Sequence, residues 1–213
     1  EETAQRLLEK IRGDLADGTP LEELINRYLP PKARQNLVPT WMVRWLEIRT
    51  EDCTVDFGRL ESLLNERTRL VAVTYASNAV GTIVDVGRVA TMAHQVGALV
   101  YVDAVHYTPH NPVDVQAIDC DFLACSAYKF FGPHSGIMYG KYDLLDSLVA
   151  YKVRPAPGKP PGKWETGTQS FESLAGVTAA IDYLASLSTG ASGTPRRAAL
   201  RSSMETIGIH EQA

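Results

Sequence analysis

The chain reads as an α/β protein with a mainly parallel sheet and flanking helices. Short apolar runs recur along it, helical periodicities fall between them, and several runs end in a polar residue. Strand, helix and strand in repetition imply right-handed crossovers and a parallel sheet. In such sheets ligands sit beyond the carboxyl ends of the strands.

The alternation begins near residue 43. Residues 43–48 (VRWLEI) alternate in character and predict a strand. Asp56 is placed to cap a helix running through Leu60, Leu63 and Leu64. Residues 70–75 (LVAVTY) are short and nearly all apolar, which predicts a strand covered on both faces. Val86, Val89, Ala90, Ala93 and Val96 recur at helical spacing up to Gly97. Residues 98–103 (ALVYVD) predict another buried strand closed by a carboxylate, and residues 122–126 and 136–140 predict two more. Asn78, Asp103, His106, Ser126 and Lys129 all fall just after strand ends, so the topology can bring them together.

Two regions break this rhythm. Residues 1–42 hold two amphipathic patterns, one through Leu7, Leu8, Ile11 and Leu15, the other through Leu21, Leu24, Ile25 and Leu29. Pro30 and Pro31 end them. The proline- and glycine-rich residues 151–163 predict an exposed loop. A long helix through Leu174, Val177, Ala180, Ile181 and Leu184 follows, then a flexible break at 188–193 and a last helix through Leu200, Met204 and Ile207.

Composition narrows the class of function. With 213 residues, 45% of them hydrophobic and 22% charged, the chain can bury a sizeable core. A net charge of -4 offers no basic field for nucleic acid or an anionic membrane. No apolar run approaches the roughly 20 residues that span a bilayer. The first residues lack the basic start and apolar core of a signal peptide. Cys53, Cys120 and Cys125 show no metal-type clustering and fit reduced thiols in a cytoplasmic setting. Cys120 and Cys125 fall in a strand-like run, as small buried hydrophobes do.

The chemistry centres on residues 126–134 (SAYKFFGPH), which set one lysine among aromatic residues after a buried strand. Burial there would disfavour the charge of Lys129 and free its amine as a nucleophile, as a Schiff base to a carbonyl cofactor requires. The other reading is a surface lysine whose stem lies over two aromatic rings. On these residues alone the two readings stand level. Asp103 closes an apolar strand, where a carboxylate calls for a cationic or hydrogen-bonding partner. A protonated pyridine nitrogen is one such partner, and the pairing would keep the ring electron-poor. An N-cap or turn role is the alternative. His106, three residues on, can stack on a ring or donate to a phenolic oxygen.

Asp103-Ala104-Val105-His106, followed about two dozen residues later by Ser126-Ala127-Tyr128-Lys129, resembles the core of the class V aminotransferase family. Three further blocks occur in that family's order. Residues 74–82 (TYASNAVGT) resemble its Asn-x-x-Gly-Thr turn, residues 113–122 (VDVQAIDCDF) the approach to the lysine strand, and residues 164–169 (WETGTQ) its Glu-x-Gly-Thr loop. The likeness covers roughly residues 43–187 and is greatest to the cysteine desulfurase-like branch, with selenocysteine lyases and kynureninases as relatives. It implies a pyridoxal 5′-phosphate enzyme of fold-type I, a transferase or lyase acting on an amino acid. For a desulfurase, cysteine would give alanine plus sulfur passed to an acceptor. Another class V lyase or transaminase, or a catalytically incomplete relative serving as a binding or dimerisation module, is the alternative.

Carried over residue by residue, the resemblance assigns Lys129 the Schiff base and the α-proton. It assigns Asp103 the pyridinium, Asn78 the phenolic oxygen or substrate carboxylate, and Ser126 the phosphate. His106 stands where many desulfurases have Gln near the phenolic oxygen, and Tyr128 replaces their usual His before the lysine. Thr168 resembles a residue that reaches a neighbouring subunit's phosphate, which implies a homodimer with shared sites. Residues 1–42 show no counterpart of the family's phosphate-binding Gly-Thr turn, and Thr19 between Gly18 and Pro20 is a poor substitute. The family's C-terminal domain, with its carboxylate-binding arginine and sulfur-carrying cysteine, has no counterpart either. On this reading residues 1–42 are an atypical helical leader. Residues 43–187 are the cofactor-binding large domain in truncated form, and residues 188–213 a flexible break and the start of a C-terminal helix.

Overall fold

The structure, a computed structural model, describes residues 9, 10, 13, 14, 16–19, 23, 24, 27, 43–165, 167–188 and 193–211. It divides into two compact units, Glu1–Trp45 and Leu46–Ala213. In the first unit Glu9, Lys10, Gly13, Asp14, Ala16, Glu23, Leu24 and Arg27 are helical. Arg27 bridges Asp14 at 2.7 Å and Glu23 at 2.6 Å. Of the two apolar patterns expected there, Leu24 is described and buried, while Leu7, Leu8, Ile11, Leu15, Leu21, Ile25 and Leu29 lie outside the described residues.

The second unit is built on one four-stranded sheet in the order β1 (Leu70–Thr74), β2 (Leu99–Asp103), β3 (Phe122–Ser126), β4 (Gly136–Gly140). β1, β2 and β3 run parallel and β4 returns antiparallel to β3. Helix α1 (Phe57–Leu63) precedes β1, α2 (Val86–Gln95) links β1 to β2, and the short α3 (Val115–Ile118) leads into β3. Then come α4 (Tyr142–Ser147), α5 (Phe171–Ser186) and α6 (Arg196–Glu211).

Local sequence explains most of these elements. The Asp56 carboxylate accepts from the Arg59 N–H at 3.0 Å and starts α1. Asp85 does the same for α2 through the Arg88 N–H. The expected apolar stripe of α2, Val86, Val89, Ala90 and Ala93, is buried against Val100, Val102, Cys120 and Leu123. A second cluster joins Ala127, Phe130 and Leu184, with Cys125, Val177, Leu200 and Ile207 packed on it. It seats the segment after β3 against α5 and α6.

Two expectations need correction. No strand forms at 43–48: residues 43–47 are irregular and Ile48 makes only an isolated bridge to Val55. The Arg49 N–H donates to the Thr54 carbonyl and the Cys53 N–H to the Arg49 carbonyl, while Asp52 accepts from the Thr54 N–H and hydroxyl. This polar turn folds the chain back before a ladder can grow. Nor is β1 covered on both faces. Val71 and Val73 pack on the core, whereas Leu70, Ala72 and Thr74 alternate outward and are exposed. An unbroken apolar run fits either arrangement, so only the packing decides.

The amino edge of the sheet is closed by charge. Asp121, 5% exposed, accepts from the Val100 N–H at 2.8 Å and lies 2.9 Å from His94 Nε2 and 3.1 Å from Lys141 Nζ. Lys141 Nζ also reaches Asp119 at 2.7 Å. Burial pushes the Asp121 carboxyl upward, but hydrogen bonds from His94, the Val100 N–H and Lys141 outweigh it and hold it below the usual range. The Lys141 hydrogen bond likewise lowers Asp119. Desolvation works against the charge on Lys141, yet the two carboxylates hold its pKa above the ordinary lysine value.

Candidate functional site

The opposite, carboxyl edge gathers the residues singled out in the sequence. Thr74 is level with Asp103 and Asp103 with Ala124, two residues before β3 ends at Ser126, so the carboxyl ends of three parallel strands share one edge. The ladder runs one step further through the Tyr75 N–H to the Asp103 carbonyl and the Ala104 N–H to the Ala124 carbonyl, both 2.8 Å.

After β1 the chain makes a tight loop. The Ser77 N–H donates to the Thr82 carbonyl, the Gly81 N–H to the Ser77 carbonyl, and the Ser77 hydroxyl oxygen accepts from the Ala79 and Val80 N–H groups. Gly81 takes φ 72°, a left-handed conformation that explains a glycine there. The loop exposes Asn78.

After β2, Asp103 is exposed and its Oδ1 accepts from the Val105 N–H at 2.9 Å, the turn role kept open above. The chain then coils, with Tyr107 and Thr108 N–H groups on the Ala104 carbonyl. Tyr107 stacks on Tyr75 at 3.5 Å between centroids, 4° from parallel. Burial and the Tyr107 hydroxyl hold the Tyr75 phenol well above its usual pKa. Asn78 and His106 face one cavity of about 320 Å³, together with Ser77, Ile83, His110 and Asn111. His110 Nδ1 lies 2.7 Å from Glu211 at the end of α6, which ties that helix to the cavity rim.

After β3 comes a 3-10 turn, Ala127–Phe130, carrying Lys129. The turn is clasped at both ends: the Ala127 N–H donates to the Ser135 carbonyl and the Gly132 N–H to the Ala127 carbonyl, each 2.9 Å. A Cβ on Gly132 would stand 2.9 Å from the Ala127 oxygen, so this bend has no room for a side chain. Ala127 and Phe130 point into the core, Tyr128 is exposed and Lys129 half-buried. Lys129 Nζ lies 5.0 Å from the centroid of the Tyr128 ring, and that ring stacks on His134 at 4.9 Å and 13°. The lysine's ammonium thus faces one aromatic ring at the strand end, and its half-burial falls between the buried amine of the first sequence reading and the surface stem over two rings of the second.

The structure therefore puts Asn78 and His106 on one cavity wall, and Asp103, Ser126 and Lys129 on the same sheet edge. Thr168 is exposed in the segment before α5. Cys125 is half-buried in β3 and Cys120 fully buried just before it; burial pushes both thiols up, so neither is an activated nucleophile. The loop at 151–163 is mostly exposed as expected, but its end is pinned. Lys163 is buried and donates to the Asp146 carbonyl at 2.7 Å, and Trp164 Nε1 donates to the Leu145 carbonyl at 3.0 Å.

His110, Asn111 and Tyr107 were not singled out in the sequence. His110 follows His106 at a one-turn spacing, which was the available signal. The stack of Tyr75 on Tyr107 joins residues far apart in sequence and left none.

A mostly parallel α/β sheet with a lysine turn and an exposed strand-end aspartate at its carboxyl edge is the architecture of an enzyme large domain. Comparison with known proteins gives the class a family: the model of the aminotransferase class V family matches residues 38–207, and the chain belongs to it. The chain is 38% identical over 176 residues to a cysteine desulfurase of Dickeya dadantii, covering 73% of this chain and 43% of the relative. A cysteine desulfurase of Haloferax volcanii is 36% identical over 154 residues, 67% of this chain and 36% of the relative. Among solved structures, a cysteine desulfurase of Escherichia coli superposes with TM-score 0.59 at 33% identity, covering 66% of this chain and 38% of that one. The apo cysteine desulfurase of Thermococcus onnurineus gives 0.60 at 25% identity, covering 85% and 43%. The chain spans less than half the length of these relatives.

Proposed function

We propose that this chain forms the cofactor-holding part of a pyridoxal 5′-phosphate enzyme of cysteine desulfurase type, taking cysteine to alanine and passing sulfur to an acceptor. The observation that carries this reading is Lys129, held in a clasped turn at the carboxyl edge of the sheet on which Asp103 ends β2. Family membership supplies the chemical context.

The residues present fit the group. A cavity of about 320 Å³, lined by Asn78 and His106 and not by Lys129, Asp103 or Ser126, falls within the range of small-molecule sites, roughly 300–1,000 Å³. Its polar lining includes the amides of Asn78 and Asn111 and the imidazoles of His106 and His110, with no carboxylate among them. Among the described residues, the Asp103 carboxylate has the Val105 N–H as its hydrogen-bond partner, which leaves it open to a cationic ring nitrogen. When bound, pyridoxal phosphate supplies an electron sink for the carbanion formed at the substrate's α-carbon. Lys129 Nζ would hold the cofactor covalently, yield to the substrate amine and then carry the α-proton. Asp103 would keep the ring nitrogen protonated by charge pairing, and Ser126 would donate its hydroxyl to the phosphate. His106 and Asn78 would orient the ring and the substrate from the cavity wall, excluding water on that side. Thr168 would reach the phosphate of a second copy, in a homodimer with shared sites. Residues 43–187 would form the cofactor domain, in a cytoplasmic enzyme.

The test is the visible spectrum of the purified chain with added pyridoxal phosphate, before and after borohydride, with the labelled peptide mapped. The expected result is a Schiff-base band and a label on Lys129; a label elsewhere, or none, overturns the site. Alanine and sulfide formed on adding cysteine would support the desulfurase label. Turnover of another amino acid alone would move the chain to a sister activity.

A further inference from the structure

The turn after β3 holds one arrangement that this reading does not use. Lys129 Nζ stands 5.0 Å from the centroid of the Tyr128 ring, inside the distance at which a cation is drawn to an aromatic face. Tyr128 in turn lies nearly parallel to the imidazole of His134, which braces it on the exposed side of the turn. Both ends of the segment are fixed, through the Ala127 N–H on Ser135 and the close approach of Gly132 to Ala127. The lysine and the ring are therefore presented to each other by a backbone with little freedom to separate them. Ion pairs shorter than 4 Å engage Lys141 and Lys159, whereas among the described residues the partner recorded for Lys129 is this ring.

We propose that Tyr128, braced by His134, is a positioning residue for Lys129: its ring docks the ammonium and so restrains the amine in the cofactor-free chain. The inference rests on Lys129 being the cofactor lysine, but it concerns the chain before any cofactor arrives. An aromatic face attracts the charged form and not the free amine. A lysine held on the ring is not presented to an external carbonyl, so docking slows attack. At a solvent-exposed site the attraction is modest, a factor of about two to five in rate.

The experiment is amine-directed labelling of the cofactor-free chain at neutral pH with a small acylating reagent. The extent is read at Lys129 by peptide mapping and normalised to the exposed Lys152. Replacing Tyr128→Leu keeps apolar cover beside the lysine and removes the ring, so labelling at Lys129 should rise about two- to fivefold. Replacing Tyr128→Phe keeps the ring and should leave labelling within about a factor of two of the parent. His134→Ala should give an intermediate rise by loosening the brace. Equal labelling in the parent and in Tyr128→Leu overturns the proposal, as does an equal rise in Tyr128→Leu and Tyr128→Phe, which would assign the effect to the hydroxyl. Circular dichroism checks that each variant folds. If Tyr128→Leu does not, Tyr128→Met takes its place with the same expectation. Adding pyridoxal phosphate separates the two readings. No borohydride label on Lys129 in any variant would sink the cofactor assignment while leaving the labelling result at Tyr128 intact. A label that forms equally fast in the parent and in Tyr128→Leu would sink the restraint and leave the cofactor assignment standing.

Discussion

The two edges of the one sheet treat charge in opposite ways. At the amino edge, Asp121 is buried and surrounded by the Val100 N–H, His94 and Lys141, with Asp119 completing the network. At the carboxyl edge, Asp103 is exposed with a single backbone donor, Asn78 is exposed, and Lys129 rests on a ring. A buried carboxylate must be satisfied by the fold itself, because leaving it unpaired costs several kcal/mol. A strand-end carboxylate left open costs the fold little and remains available to a ligand. The contrast separates a residue that holds the sheet together from residues that the sheet presents.

The sharpest break in that comparison is Lys129→Ala. It should abolish covalent cofactor attachment altogether, with no borohydride-fixed label, while the urea midpoint stays near that of the parent. On the proposed function, Asp103→Ala should leave attachment possible and suppress turnover, since it removes the proposed ring-nitrogen partner and not the lysine. Its stability should shift by no more than about 0.5 kcal/mol, as for other exposed positions. Asp121→Ala should do the reverse. Removing the Asp121 carboxylate leaves the buried Val100 N–H unpaired and should cost about 1–3 kcal/mol in urea unfolding, while Lys141 and His94 keep Asp119 as a shared partner. Equal destabilisation by Asp103→Ala and Asp121→Ala would erase the distinction between the edges.

Acidity probes the same difference more gently. The carboxyls of Asp119 and Asp121 are held below their usual range in the folded chain. Their contribution is therefore present above the unfolded value, about 3.9, and is lost as pH falls through the lower folded values. Lys141 is shifted the other way, so its contribution is present below about 10.4 and lost as pH rises past that. Urea unfolding followed from pH 6 down to pH 3 should show stability falling, and Asp121→Asn should flatten that fall. Smallest in reach is Gly132→Ala, whose Cβ would meet the Ala127 oxygen at 2.9 Å. It should cost about 1–3 kcal/mol and loosen the lysine turn without disturbing the amino edge.

Much of this was legible in the chain. Asp56 and the stripe from Val86 to Ala93 announced their helices because capping and periodicity are local signals. The strand ends at Asp103 and Ser126 were equally plain, and with them the placing of Asp103 and Lys129 on one edge. What escaped was set by distance along the chain or by packing. The turn of Asp52 on Thr54 removed a strand that the alternation of residues 43–48 suggested. The single covered face of β1 depended on what packs beside it. Asp121 read as one more residue before a strand, since His94, Val100 and Lys141 reach it from three other elements. The pairing of Lys129 with Tyr128 could be read two ways, because neighbours in sequence need not be neighbours in space.

The reversal of β4 has one more consequence. Ser126 pairs with Gly136, so the stretch from 127 to 135 leaves the sheet and returns to it at adjacent rungs. That makes the lysine turn an excursion fastened at two places: to the sheet, where the Ala127 N–H extends the ladder to the Ser135 carbonyl, and to α5 and α6, through Ala127 and Phe130. Redrawing the turn would therefore disturb the packing of both helices while the register of the three parallel strands stayed in place.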